Sequence, residues 1–98
     1  MSKETKSIIY IAGPISNVPN YKDNFNREES KLNKLGYIVL NPSVFPKGLT
    51  QSDYMKICIP MLYLCDSIYL LNGWDDSVGA NIEYQIAKQS GMNIITEN

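Results

Sequence analysis

Four short apolar runs, rich in β-branched residues, recur along this chain, and each pair is separated by a segment with helical periodicity. "SIIYIAG" ends at Gly13-Pro14 and predicts a buried strand over residues 7–12. "YIVL", closed by Asn41-Pro42, predicts a second strand, "SIYLL" a third over 67–71, and "MNIIT" a fourth. Between the first two, Tyr21, Phe25, Leu32 and Leu35 recur on one side of a helix over about 21–35, stopped by Gly36. Residues 53–65 predict the next helix and 78–90 the last, the latter ending at Gly91. The order β-α-β-α-β-α-β requires crossover connections. It therefore predicts an α/β fold: a doubly wound parallel sheet of about four strands with helices on both faces. The expected strand order is 2-1-3-4, flavodoxin-like or Rossmann-like; an α+β arrangement is the alternative.

The middle helix is unusual. Tyr54, Ile57, Cys58, Met61, Leu62 and Cys65 form one apolar face, but Met55, Ile59, Tyr63 and Leu64 make most of the remainder apolar too. After Asp53 only Lys56 is charged. A helix apolar on nearly every side in so small a domain needs a second surface to cover it, so a homodimer or higher homo-oligomer is expected. Pro60 is expected to kink this helix or shorten its first turn.

With 98 residues, no internal repeat and no change of composition, the chain reads as one domain, 1–98, with a polar tail over 1–6. Its net charge is −1 and it has a single Arg, which argues against a nucleic-acid polymer as partner. No apolar run approaches bilayer length and no signal peptide is evident, so no membrane partner and a cytoplasmic location are expected. Cys58 and Cys65, seven apart on one predicted helix, share a face without bridging and read as reduced thiols. Histidine is absent, which removes Ser-His and Cys-His nucleophile pairs and the commonest zinc ligand. Any chemistry falls to carboxylates, hydroxyls, amides and tyrosines, with no metal and no cofactor expected.

In a doubly wound sheet, ligands bind beyond the carboxyl ends of the strands near the reversal in strand order. That brings "GPISN" after the first strand (Gly13, Pro14, Ile15, Ser16) together with "NGWDDSVG" after the third. In the helix that leaves the second loop, Val78, Gly79, Ala80, Ile82, Ile86 and Ala87 fill one arc, and Glu83 falls inside it. Placed in the second turn, that carboxylate is aimed at a cleft. The competing readings are an acid favoured by the helix macrodipole or a buried acid bonded to a tyrosine. Ser77 is the expected N-cap, and because Ala80 stands where a capping box needs Glu or Gln, Glu83 is not a capping partner. The free amides around Gly79 and the Ser77 hydroxyl suit a phosphate, or Ser77 is a cap alone. Trp74 can cover a nucleobase or pack against the body of the domain. Asp75 and Asp76 are at the mouth; Asp66, at the opposite end of the sheet, reads as structural.

"IYIAGPIS" and "CDSIYLLNGWDDSVGANIEYQIAKQSG" resemble the nucleoside 2-deoxyribosyltransferase-like superfamily, and more closely its small stand-alone members, often phage-encoded, grouped as an uncharacterised domain family (DUF4406). The resemblance covers nearly the whole chain, and "GW-x-x-S-x-GA-x-x-E" carries most of its specificity. It implies a doubly wound fold, a dimer and cleavage of an N-glycosidic bond. The catalytic glutamate of the superfamily falls on Glu83, and its first-strand tyrosine, which orients that carboxylate, on Tyr10. Ser77 stands where the nucleoside-monophosphate hydrolases hold phosphate. In two places the chain departs from those hydrolases: Pro14 and Ser16 stand in a loop that there contributes an Arg, and Cys58 stands where they carry an Asp.

The expected mechanism is double displacement. Glu83 attacks C1′ of the sugar, the base leaves, and water or a second base attacks the glycosyl-enzyme. Asp75 or Asp76 is the candidate second carboxylate. The expected partner is thus a small-molecule nucleoside or nucleotide. The alternative is a non-catalytic protein that sequesters a nucleotide signal in the same cleft.

Overall fold

The four apolar runs pair side by side, all parallel, in the order β2-β1-β3-β4. The computed structural model describes residues 7–97; the polar tail expected over 1–6 lies outside them. Strand β1 is Ile8–Ala12, β2 Ile38–Leu40, β3 Ser67–Leu70 and β4 Asn93–Thr96. Helices α1 (Tyr21–Lys34), α2 (Gln51–Tyr63) and α3 (Val78–Gln89) are the crossovers, and two short 3-10 turns, Pro42–Val44 and Trp74–Asp76, precede α2 and α3.

Side chains alternate across the central pair, where Tyr10 lies beside Ile68 and Ile11 beside Tyr69. Ile9, Ile11, Tyr69 and Leu71 point to one face and are covered by Tyr21, Phe25 and Leu32 of α1. Tyr10, Ala12, Ile68 and Leu70 point to the other and are covered by Cys58 and Leu62 of α2 and by Ala80 and Ala87 of α3. Two buried faces explain why β1 and β3 read as continuous apolar runs rather than as alternating ones.

Several boundaries differ from expectation for local reasons. Helix α2 begins at Gln51 because Thr50 and Asp53 form a capping box: the Thr50 hydroxyl accepts from Asp53 N at 3.1 Å and the Asp53 carboxylate accepts from Thr50 N at 3.0 Å. It ends at Tyr63, so Cys65 lies beyond the helix rather than on it; both cysteines are nonetheless buried and free. Pro60 falls near the C-terminal end of α2, away from its first turn. Leu35 caps α1 and is 74% exposed instead of packing with Phe25. Asp66 accepts a hydrogen bond from Ile8 N at 2.9 Å and ties the start of β3 to β1. Among the described residues no helix is long and apolar enough to cross a membrane.

Candidate active site

Tyr10 is the middle residue of β1 and points toward α3, where Glu83 occupies the second turn. The phenol donates to Glu83 Oε2 at 2.6 Å, in an environment where Tyr10 is wholly buried and Glu83 is 5% exposed. The acid inside the apolar arc of α3 is therefore a buried acid held by a tyrosine. Its second oxygen, Oε1, receives no hydrogen bond among the described residues. Burial raises the Glu83 carboxyl to about 7, against a smaller downward pull from the Tyr10 hydrogen bond. Burial also raises the Tyr10 phenol well above its usual value, and the neighbouring Glu83 carboxylate adds to the effect. Cys58, on α2, lies against the same phenol, and its thiol is pushed up by burial.

Glu83 and Tyr10 open onto a cavity of about 60 Å³. Gly13, Ile15 and Ser16 of the first loop border it, together with Ser77, Gly79 and Ala80 at the start of α3 and Gln51, Tyr54, Met55 and Cys58 of α2. Phe25 and Pro42 complete the wall. An outer basin of about 190 Å³ shares Ile15, Ser16, Gln51 and Ser77 with the cavity and adds Pro14, Asn17, Asp76 and Val78. Among the described lining residues, the charged side chains are Glu83 in the cavity and Asp76 in the basin; neither lining includes a Lys or Arg.

Two glycines let these elements close up. A Cβ on Gly13 would meet Leu71 Cβ and Cδ1 at 2.8 Å, so the loop after β1 approaches β3 only without a side chain. A Cβ on Gly79 would meet Gln51 Nε2 at 2.8 Å, and the space it leaves is filled by the Gln51 amide at the cavity rim. Ser77 is the N-cap of α3: its Oγ accepts from Ala80 N at 3.2 Å, which leaves the hydroxyl proton free to donate.

Of the residues singled out from the sequence, Tyr10, Gly13, Ile15, Ser16, Ser77, Gly79 and Glu83 meet at this cavity. Pro14 is displaced to the outer basin. Trp74 is turned away: its ring packs on Tyr84, centroids 4.8 Å apart, against the α2–α3 core. Asp75 is exposed and lines neither space, its backbone oxygen accepting from Asn81 Nδ2 at 2.9 Å; Asp76, its neighbour, reaches the basin. Sequence pattern alone places only Cys58 of α2 at the site; Gln51, Tyr54 and Met55 join it in the structure. The signal is available, because the helix after β2 must also start at the carboxyl ends of the strands, and Gln51, Tyr54, Met55 and Cys58, all within its first eight residues, line the cavity.

No curated protein matches the chain. Residues 7–96, which carry all four strands, all three helices and every residue lining the cavity and basin, match the family described as "Domain of unknown function (DUF4406)", and the chain belongs to that family.

Proposed function

We propose that this protein cleaves or transfers at the N-glycosidic bond of a nucleoside or nucleoside monophosphate, with Glu83 as nucleophile, in the manner of the nucleoside 2-deoxyribosyltransferase-like superfamily. The observation that carries the reading is a buried carboxylate, held by Tyr10 at one oxygen and without a hydrogen bond at the other among the described residues, on a side chain that lines a cavity at the carboxyl ends of the strands. Tyr10 fixes the carboxylate in place, so that Oε1 attacks C1′ while the base departs; water or an acceptor base then releases the sugar. The cavity is smaller than a nucleoside, and with the basin it approaches the roughly 300 Å³ at the lower end of small-molecule sites. The ligand accordingly spans both, with any phosphate at the Ser77 hydroxyl and the free amides of α3.

A second protomer covers the apolar outer side of α2, where Ile57, Tyr63 and Leu64 are 38%, 62% and 64% exposed. The test of the central reading is incubation with a panel of nucleosides and nucleotides, assayed for free base. Release by the wild type, lost in Glu83→Gln, supports it. Thermal stabilisation without release, about 2.7 kcal/mol at a hundred times the dissociation constant, favours a nucleotide-sequestering protein instead.

A further inference from the structure

Departure of a heterocycle from C1′ leaves an electron pair on its ring nitrogen. A neutral purine or pyrimidine must gain a proton or leave as an anion, and general-acid assistance of that kind is worth about 10²–10⁴ in rate. Among the described residues the cavity, where C1′ must meet Glu83, is lined by no second carboxyl group: Glu83 is consumed as nucleophile, and Asp76 lines the basin beside Ser77, at the end of the ligand assigned to the phosphate. The Tyr10 proton is committed to Glu83. The remaining acids in the wall, Tyr54 and Cys58, are both held toward their protonated forms by burial. The charged side chains of the described lining are acidic, with no Lys or Arg among them, and the wall includes the aromatic residues Phe25 and Tyr54, a residue type that attracts cations.

Resting on the nucleophile assignment above, we infer that the preferred substrates are N-glycosides whose base is already cationic, of the N-ribosylpyridinium class. The balance then closes without an acid. The Glu83 carboxylate forms a bond to C1′ as the C1′–N bond breaks, and the electron pair neutralises the pyridinium nitrogen. A neutral pyridine departs, and the sugar is left as a neutral ester. Water then attacks C1′ and the ester bond breaks, regenerating the carboxylate and releasing one proton to solvent. Positive charge moves from the ring toward the sugar in the transition state and stays beside the Glu83 carboxylate until the ester bond neutralises both.

The experiment compares nicotinamide riboside with adenosine, cytidine and their monophosphates, measuring free base with wild type and Glu83→Gln. In parallel, binding of 1-methylnicotinamide, a cation with no glycosidic bond, is compared with neutral nicotinamide by NMR titration of the wild type. The expected result is nicotinamide release at least about 100-fold faster than release from the neutral nucleosides, absent in Glu83→Gln. The methylated cation should also bind at least tenfold tighter than nicotinamide, a preference lost in Glu83→Gln. Equal rates, or release from neutral nucleosides alone, overturn the pyridinium preference and leave the nucleophile assignment standing. Cation binding without release from nicotinamide riboside overturns the preference as a statement about substrates. Neither release nor binding of any compound overturns both.

Discussion

Each face of the central sheet carries one buried tyrosine–glutamate pair, and the two differ in everything except their chemical parts. On the α1 face, Tyr69 donates to Glu28 Oε1 at 2.8 Å, and Glu28 Oε2 is met by Arg27 Nε at 3.0 Å and Lys31 Nζ at 3.2 Å. Burial pushes the Glu28 carboxyl up, but the bonds from Tyr69, Arg27 and Lys31 together outweigh it and hold the group below its usual range. On the α2–α3 face, Glu83 has the tyrosine and no cation, and is raised to about 7. Glu28 is satisfied at both oxygens. Glu83 has one oxygen without a hydrogen bond among the described residues, and its side chain lines a cavity. A buried acid is therefore informative only together with what neutralises it.

The largest expected effect is on catalysis. Glu83→Gln should abolish base release, a loss of a thousandfold or more, because an amide cannot form the glycosyl ester. In stability the same change should be favourable. With the folded value near 7 and the unfolded value about 4.3, the contribution of Glu83 is whole at low pH and is lost as pH rises through 7. At pH 8 the buried anion costs up to about 4 kcal/mol, which glutamine, neutral and still able to accept from Tyr10, removes. Denaturant melts should show the mutant more stable at pH 8 and equal to wild type near pH 4. A mutant less stable at both would make Glu83 a structural acid and erase the contrast with Glu28.

Glu28→Gln should act in the opposite direction. It strips two charge-assisted bonds from a fully covered group, but Arg27 and Lys31 are 52% and 60% exposed and turn to water, so the loss is about 2 kcal/mol at pH 7. Because the folded value is lowered, this stabilisation exists above the unfolded value and fades as pH falls through the folded one. The gap between mutant and wild type should narrow in acid, as at Glu83, but with the opposite sign: here the wild type is the more stable of the two at neutral pH. Base release should be unchanged.

The faces differ also in what their helices present outward. The outer side of α1 carries Lys22, Asp23, Arg27 and Lys34, whereas α2 and its C-cap expose Ile57 and Leu64, seven residues apart. Ile57→Lys or Leu64→Lys should weaken self-association at least about tenfold by placing an unpaired charge in the interface. The melting temperature of the isolated monomer should hardly move, since both residues are already exposed. A wild type that sediments as a monomer at micromolar concentration would remove the proposed second subunit.

The contrast between the pairs was half legible in the sequence. Strand order and crossovers follow from apolar runs separated by helical segments, and Glu83 was conspicuous because it interrupts the arc of α3. Glu28 interrupts the arc of α1 in the same way, four residues before Leu32 and three after Phe25. The distinguishing signal is local: Lys31 stands one helical turn after Glu28 and Arg27 directly before it, while the neighbours of Glu83 one turn away are Gly79, Ala80, Ile86 and Ala87. The direction of Trp74 was not legible, because its placement depends on Tyr84 and on a 3-10 turn inside a loop. Nor was the start of α2, whose Thr50–Asp53 box lies in a stretch with no apolar periodicity.

The smallest expected effects come from the two phenols. Tyr69→Phe removes one of three donors to Glu28; the two cations remain, so the cost should be about 1 kcal/mol, with no change in any pH profile of base release. Tyr10→Phe removes the only hydrogen bond that Glu83 receives among the described residues. That bond favours the anion, so its loss should raise the Glu83 carboxyl further, by about one unit for a bond of roughly 1.4 kcal/mol. A nucleophile must be ionised, so activity should rise with pH through the Glu83 value, and the midpoint of that rise should move upward in Tyr10→Phe. Near pH 7 the mutant then loses activity that a more alkaline buffer partly restores, which a purely structural tyrosine would not allow. An unshifted midpoint with uniformly lower activity would mean that Tyr10 only fills space, and would make its bond to Glu83 equivalent to the one on the opposite face.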